Sequence, residues 1–333
     1  MKKFLFLMAV AMVFAACHQQ GPATPAGTSI DYSQLAIPNY SVDSAYQFVA
    51  DQVAFGYRTP GSVGQQRCAQ YLVSQMSRFC DTVIVQDFPA TLWDGSKVRG
   101  KNIIASIEAR EGTIGAKRVL LAAHWDSRMW ADHDPDEAMH HHPIDGANDG
   151  ASGVGVLMEL ARAVSSQRLG VAVDIIFFDV EDQGTPEWSD SHADNTWCLG
   201  SQYWSQHLHV PFYSPVYGIL LDMVGTESPR YTKEDVSRQY APGITNKLWQ
   251  VAAALGYGNI FVDMDTDPIL DDHFYVNRLA GIPMTDIVQN DATNSFFRFW
   301  HTMDDTMEHV SKKSLDITLQ VLLKTMYGDY GVE

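Results

Sequence analysis

Short apolar runs alternate with longer amphipathic segments along most of the chain, from about residue 42 onward. Continuous apolar runs that are rich in β-branched residues, such as DIIFF and RVLLAA, are typical of strands covered on both faces. The pattern predicts six strands: Thr82–Gln86, Asn102–Ile107, Arg118–Ala123, Asp174–Phe178, Tyr217–Leu221 and Pro283–Val288.

Segments with a helical period separate these runs. Between residues 153 and 166, for example, apolar side chains recur every three or four positions, as on the buried face of a helix. Six helices are predicted: Asp43–Ala54, Ser62–Phe79, Gly153–Ser166, Thr245–Leu255, Asp271–Leu279 and Lys312–Tyr327. Because no linker or repeat interrupts this alternation, we expect a single α/β domain with a twisted, mostly parallel central sheet and helices on both faces.

The first forty residues follow a different pattern. Two lysines precede an apolar run of about eleven residues, which is shorter than the roughly 20 residues that a membrane-spanning helix needs. A run of this length after a positive start is typical of a signal peptide. Two alanines and then Cys17 follow, as in a bacterial lipobox, and the next residues are polar with proline and glycine, as in a tether.

We therefore expect residues 1–16 to be a lipoprotein signal peptide, Cys17 to carry the lipid, residues 17–40 to form the tether and residues 41–333 to fold. The protein would then lie in the bacterial cell envelope, facing the periplasm, and would touch the membrane only through its lipid. The alternative is an ordinary secretory signal in which the cysteine is incidental. The sequence does not distinguish the inner from the outer membrane.

The charge of the chain limits its partners. It carries 23 Lys and Arg against 40 Asp and Glu, a formal net charge of −17. Removal of the signal peptide would delete two lysines, which leaves 21 minus 40, or −19. A polyanion repels the phosphate backbone, so nucleic acid is excluded as a partner, whereas metal ions or cationic groups suit it.

Three cysteines remain after Cys17, and an odd number allows at most one internal disulfide. Cys68 and Cys80 lie in one predicted helix, where twelve residues span about 18 Å. That distance is too long for a disulfide unless the helix ends early. The pairing of Cys68, Cys80 and Cys198 therefore stays open.

Polar residues with metal-binding chemistry follow the predicted strands. His124 follows one strand, Glu181 and Asp182 follow the next, Asp222 follows a third, and His301 lies in a loop near the C-terminus. Because parallel strands end at the same edge of a sheet, these side chains are expected to converge there. Nitrogen and oxygen ligands without a thiolate suit a catalytic zinc ion. The alternative is that the acidic residues are ordinary turn and cap residues.

Six motifs occur in a fixed order: HWDS, GANDGASG, FFDVEDQG, LLDMVG, LDDH and FWHTMDD. Together they resemble the zinc aminopeptidase superfamily, and within it the glutaminyl cyclases of animal type, in a lipoprotein form as in oral Bacteroidota. The resemblance covers most of residues 40–330 and implies a zinc aminopeptidase-like fold. FWHTMDD, LDDH and the tryptophan after the Glu-Asp pair favour the cyclases over the peptidases.

The resemblance implies a role for each matching residue of the metal site. Asp149, Asp182 and His301 would be the zinc ligands, and Glu181 would be the general acid and base beside them. Asp182 departs from the animal enzymes, in which a glutamate usually stands at that position. His124 and Asp222 match the ligands of the second zinc in two-metal peptidases, so one zinc ion is expected and two are not excluded.

The resemblance also implies a substrate pocket. Asp222 and Asp271 would form a carboxyl network near the substrate, and Trp188, Trp300 and Phe296 would wall the pocket. The alternatives are structural caps for the two carboxylates and plain packing for the aromatic residues.

The implied activity is the zinc-dependent cyclisation of N-terminal glutamine in peptides and proteins to pyroglutamate, with release of ammonia. One alternative is a two-zinc aminopeptidase that hydrolyses N-terminal residues. The other is a binding lipoprotein without catalytic activity. The sequence does not indicate the oligomeric state, or any preference beyond the N-terminal glutamine.

Overall fold

The computed structural model describes residues 30–191, 193–290 and 296–331. The predicted signal peptide, Cys17 and the first part of the predicted tether lie outside the described residues. Within the described ranges, no helix is both long and apolar enough to cross a membrane.

Eight strands and eight α-helices form within the described part of the chain. The strands are β1 (Thr82–Thr91), β2 (Lys97–Ile107), β3 (Arg118–His124), β4 (Ala172–Phe178), β5 (Gly218–Asp222), β6 (Tyr231–Glu234), β7 (Phe261–Thr266) and β8 (Met284–Val288). The helices are α1 (Val42–Ala54), α2 (Val63–Phe79), α3 (Ala151–Ser166), α4 (Leu199–Gln206), α5 (Asp235–Tyr240), α6 (Pro242–Ala254), α7 (Asp272–Tyr275) and α8 (Lys312–Tyr330).

Six strands form the central sheet in the order β1-β2-β4-β3-β5-β8. The pairs β4–β3, β3–β5 and β5–β8 are parallel, whereas the hairpin β1–β2 and the pair β2–β4 are antiparallel. All six predicted strands lie in this sheet. The mostly parallel α/β architecture is therefore confirmed, with an antiparallel hairpin at one edge.

Both faces of the sheet are covered because neighbouring residues in a strand point to opposite faces. Leu121 of β3 and Ile175 of β4 belong to the larger core, which also contains buried residues of α1, α2, α3, α6 and α8. Leu120 and Ile176 belong to a second core on the other face, where Trp204 of α4 packs. The two cores confirm the expected helices on both faces.

The elements that the sequence pattern missed are short or exposed. Strands β6 and β7 pair in parallel as a separate two-stranded sheet, and three of the six residues of β7 are exposed. Helices α4 and α5 have only eight and six residues. The predicted helix Asp271–Leu279 is one α-helical turn, α7, that continues as a π-helix through Ala280.

Residues just before α1 pack against the domain. The hydroxyl of Tyr40 donates to Asp316 of α8 over 2.6 Å, and the ammonium of Lys324 donates to the carbonyl of Leu35 over 2.6 Å. The folded domain therefore includes part of the segment that was expected to be tether.

The three cysteines in the described residues are all free. Cys68 is buried within α2 and Cys80 follows the last residue of that helix, so the helix keeps them apart. Cys198 is buried directly before α4.

Candidate active site

The site lies where the parallel strands end. His124 is the last residue of β3 and Asp222 is the last residue of β5, while Glu181 and Asp182 follow β4 closely. The chain passes from β3 to β4 on one side and then to β5 on the other side of β3. Ligands of open α/β sheets bind at such a switch in strand order, so the topology explains this convergence.

A tight loop brings Asp149 to the same edge. Gly150 has a φ of +91°, and a Cβ atom there would collide with the carbonyl oxygen of Asp126, so only glycine fits. The carboxylate of Asp305 accepts the backbone N–H groups of Asn148 and Asp149 over 2.8 and 3.1 Å. These contacts fix the loop immediately before α3.

Asp149 joins two sets of possible metal ligands. Its Oδ1 lies 3.0 Å from Nε2 of His124, which also lies 3.2 Å from Oδ1 of Asp222. Its Oδ2 lies 3.6 Å from Nε2 of His301, which lies 2.9 Å from Oδ1 of Asp182. The structure therefore brings together all five residues that were predicted as first and second metal ligands.

The donor atoms of these sets fit a zinc ion. In each set, one donor atom per residue lies within 4.8 Å of the others, and each set offers one histidine nitrogen and two carboxylate oxygens. Oδ2 of Asp149 and Oδ2 of Asp182 are buried and accept no hydrogen bond from the described residues. Buried oxygens of this kind are costly unless a cation or a donor meets them.

The carboxylates of these sets are strongly perturbed. Burial, together with the neighbouring Asp149, raises the pKa of Asp182 to about 6 and the pKa of Asp222 to about 7, although His301 and His124 oppose these shifts. Burial opposes ionisation of Asp149 as well, but His124 and His301 face its two oxygens and lower its pKa. The edge therefore concentrates negative charge in a buried place, which favours a bound cation.

A salt bridge that sequence reasoning missed orients His301. The guanidinium of Arg128 contacts both oxygens of Asp132 over 2.6 and 2.5 Å, and Oδ1 of Asp132 lies 3.4 Å from Nδ1 of His301. Arg128 also donates to the carbonyl of Asp182 over 2.9 Å. A carboxylate behind a histidine fixes which nitrogen is available to a metal. Neither residue stands in a matched motif that would have marked this pairing.

Glu181 stands beside the possible ligands with one oxygen engaged. Its Oε1 accepts a hydrogen bond from the thiol of Cys198 over 3.1 Å, and its Oε2 lies 3.8 Å from Nδ1 of His124. The carboxylate of Asp126 accepts the backbone N–H groups of Glu181 and Asp182 over 3.1 and 3.2 Å. Burial raises the pKa of Glu181 well above its ordinary value, and Asp182 raises it further although His124 opposes this.

Asp271 also lies close to Glu181 in the site. One carboxylate oxygen each from Asp271 and Glu181 lies with the Cys198 sulfur in a group whose atoms are within 4.8 Å of one another. Asp271 also caps α7, because its side chain accepts the N–H of Asp272 over 2.5 Å. The second oxygen of Asp271 is buried and accepts no hydrogen bond from described residues. Asp271 can therefore cap α7 with one oxygen and still take part in the predicted carboxyl network with the other.

An aromatic wall closes over these carboxylates. A cavity of about 60 Å³ is lined by polar residues of the site together with Trp197, Ile269, Leu270, Phe296 and Trp300. It adjoins a cavity of about 320 Å³ that the same five residues also line. The structure therefore brings two of the three predicted wall residues to the site.

The third predicted wall residue, Trp188, does not line either cavity. Its ring packs 6.0 Å from the ring of Trp130 and 4.4 Å from the ring of His141. Trp197 lines the cavity instead, stacked 6.1 Å from the ring of His301. The physical reason is that Cys198, the next residue, is held beside Glu181, because its N–H donates to the carbonyl of Glu181.

The α/β fold and the two His–Asp–Asp sets at its sheet edge are those of a metal-dependent α/β enzyme. The model of peptidase family M28 matches residues 102–326, and the chain belongs to that family.

Solved structures and a curated relative resemble this chain over most of its length. A glutaminyl cyclase of Bacteroides thetaiotaomicron is 44% identical, with a TM-score of 0.84, over 88% of this chain and 99% of that chain. A zinc-dependent exopeptidase of Parabacteroides distasonis gives the same four values. The glutaminyl-peptide cyclotransferase of Bos taurus is 25% identical over 312 residues, which cover 82% of this chain and 78% of that protein.

Proposed function

We propose that this protein is a glutaminyl-peptide cyclotransferase, which converts the N-terminal glutamine of peptides and proteins to pyroglutamate. The observation that carries the proposal is Glu181, buried beside the Asp149–Asp182–His301 set under an aromatic wall. The similarity to bacterial and animal glutaminyl cyclases supports it. In the reaction, the α-amine nitrogen bonds to the side-chain amide carbon, the bond from that carbon to its NH₂ group breaks, and ammonia leaves.

We propose Asp149, Asp182 and His301 as the residues that hold a zinc ion. Zinc bound there supplies a Lewis acid that polarises the side-chain carbonyl of the substrate glutamine. Asp132 and Arg128 hold His301 and Asp182 in place around it. The donor set of one nitrogen and two oxygens leaves room for a substrate oxygen, as catalytic zinc sites require.

Glu181 moves the proton in this proposal. The attacking amine must lose a proton and the departing NH₂ must gain one, so a single group near both atoms can do both transfers. A carboxyl group with a raised pKa suits this double role, because it can both accept the proton and return it. Asp271 and Asp222 line the same cavity and supply carboxylates that can bind the ammonium form of the substrate.

The aromatic wall suits an intramolecular reaction. The nucleophile belongs to the substrate itself, so no water is needed, and a narrow cavity that aligns the amine and the amide favours attack. Trp197, Phe296 and Trp300 cover the carboxylates and provide such a cavity. A hydrolase would instead need room for an attacking water beside its substrate.

Replacement of Glu181 by glutamine tests the proposed role. We expect Glu181→Gln to bind zinc as the wild type does, while ammonia release from Gln-Ala falls by about 10²- to 10⁴-fold, the usual contribution of a general acid and base. Glu187→Gln is the matched control, because Glu187 lies on the same loop with its side chain 68% exposed. Normal turnover by Glu181→Gln would disprove the role of this residue.

A two-zinc aminopeptidase is the second candidate, and the His124–Asp149–Asp222 set is the observation that favours it. This set would give each chain a second zinc ion and a metal-bound water for hydrolysis. Metal analysis of the purified protein, combined with an assay on leucine anilide, separates the two candidates. Two zinc ions and aniline release would support the peptidase, and the cyclase proposal predicts no aniline.

We also propose that the protein is exported, cleaved before Cys17 and anchored by lipid in the cell envelope, facing the periplasm. The support is the sequence alone: a short apolar run after two lysines, and two alanines before the cysteine. Labelling with a radioactive fatty acid should mark the wild-type protein and not Cys17→Ser. Equal labelling of both, or recovery of the wild type in the soluble fraction, would contradict the anchor.

A further inference from the structure

We propose that Cys198 is a positioning residue for Glu181: its thiol holds one carboxylate oxygen, so that only the other oxygen exchanges protons with the substrate. This inference rests on the proposed cyclase function and deepens it. Cys198 does not itself touch the reacting atoms in this account. It acts by fixing the direction in which the Glu181 carboxylate presents its free oxygen.

Cys198 and Glu181 are joined by both a side-chain and a backbone hydrogen bond. The thiol of Cys198 donates to Oε1 of Glu181 over 3.1 Å, and the backbone N–H of Cys198 donates to the carbonyl of Glu181 over 2.8 Å. The next backbone N–H, from Leu199, donates to the carbonyl of Val180 over 2.9 Å. Side chain and backbone are therefore held to each other, which limits rotation of the carboxylate.

The thiol can serve only as a donor in this place. Cys198 is fully buried, and burial raises the pKa of its thiol well above the ordinary value. The neighbouring carboxylates of Glu181, Asp272 and Asp271 raise it further. These surroundings favour the neutral thiol, whose S–H group donates to the acceptor it contacts, Oε1 of Glu181.

The arrangement leaves the two oxygens of Glu181 in different surroundings. Oε1 meets the sulfur, whereas Oε2 lies on the side of His124, 3.8 Å from its Nδ1. Cys198 also has an unusual backbone conformation, with a φ of +56°. Glycine, asparagine or aspartate are the residues that favour this region, so a cysteine there indicates a need for its side chain.

Two substitutions separate the hydrogen bond from the shape of the side chain. Cys198→Ala removes the donor, and we expect kcat for Gln-Ala to fall about tenfold with little change in KM, since this bond is to a charged acceptor. Cys198→Ser restores a donor and should recover most of kcat. Cys68→Ala is the matched control, because Cys68 is an equally buried free thiol in α2, away from Glu181, and its kcat should stay unchanged.

The double variant with Glu181→Gln tests the route of the effect. If Cys198 acts through Glu181, adding Cys198→Ala to Glu181→Gln should cause no further loss of kcat. The infrared S–H stretching band of Cys198, identified by its loss in Cys198→Ser, should shift in Glu181→Gln. This measurement needs no turnover, and it carries the test if Cys198→Ala folds poorly.

The outcomes distinguish this inference from the proposed function. A wild type that releases no ammonia from Gln-Ala would overturn the function itself. An active wild type with normal kcat in Cys198→Ala would overturn the positioning role alone. Equal losses in Cys198→Ala and Cys198→Ser, or an S–H band that Glu181→Gln leaves unmoved, would also contradict it.

Discussion

The Arg128–Asp132 salt bridge next to His301 supports both the fold and the metal site. Asp132→Asn should therefore lower both the stability of the protein and its affinity for zinc. Asp132 is buried, contacts the guanidinium of Arg128 with both oxygens, and faces Nδ1 of His301. Asparagine has nearly the same shape but no charge. The substitution therefore removes the charge pair with little change of volume.

Two magnitudes follow from this geometry. Loss of one partner from a buried ion pair costs about 3–5 kcal/mol, because Arg128 stays buried and keeps only the more distant carboxylate of Asp182, 3.6 Å away. Loss of the carboxylate behind a ligating histidine weakens metal binding by about 10- to 100-fold, or about 1.4–2.8 kcal/mol. The first effect should appear in zinc-free protein, and the second should add to it when zinc is present.

Urea unfolding with and without zinc measures the first effect, and competition with a coloured chelator measures the zinc Kd. Asp304→Asn is the control, because Asp304 lies three residues after His301 but is exposed. It should change neither quantity. An unchanged zinc Kd in Asp132→Asn would refute the reasoning that this carboxylate orients His301.

Two further predictions concern the pocket and the small sheet. Trp197→Ala should lower kcat/KM for Gln-Ala by about tenfold, and Trp188→Ala by less than about twofold, because of these two residues Trp197 alone lines the cavity. Equal losses would contradict this. Burial opposes ionisation of Glu234, but His273 lowers its pKa from 4.5 to about 2. Because the folded pKa is the lower one, about 3 kcal/mol of stability, present above pH 4.5, should disappear as the pH falls towards 2. In urea unfolding, Glu234→Gln should lack that decrease.

The pattern along the chain predicted the central sheet because its strands are buried on both faces and form unbroken apolar runs. All six predicted strands occur, and the strand-end rule placed His124, Glu181, Asp182 and Asp222 at one edge. Strands β6 and β7 lack such runs, because β6 has only four residues and three of the six residues of β7 are exposed. A short strand without an unbroken apolar run gives no such signal in the sequence.

The metal set was predicted from motifs, whereas its supports depend on contacts between distant residues. Arg128 and Asp132 meet His301 only because the loop after β3 folds against the loop that carries His301. Trp197 reaches the cavity in place of Trp188 because the backbone of Cys198 returns to Glu181. The length of a loop between two motifs does not indicate which of its aromatic residues turns inward.

Incubation of purified, zinc-loaded protein with Gln-Ala and with leucine anilide, followed for ammonia and aniline separately, tests the central claim most directly. The account predicts ammonia together with a peptide product lighter by one NH₃, and no aniline. Aniline without ammonia would contradict it, and would make His124 and Asp222 ligands of a second zinc ion in an aminopeptidase.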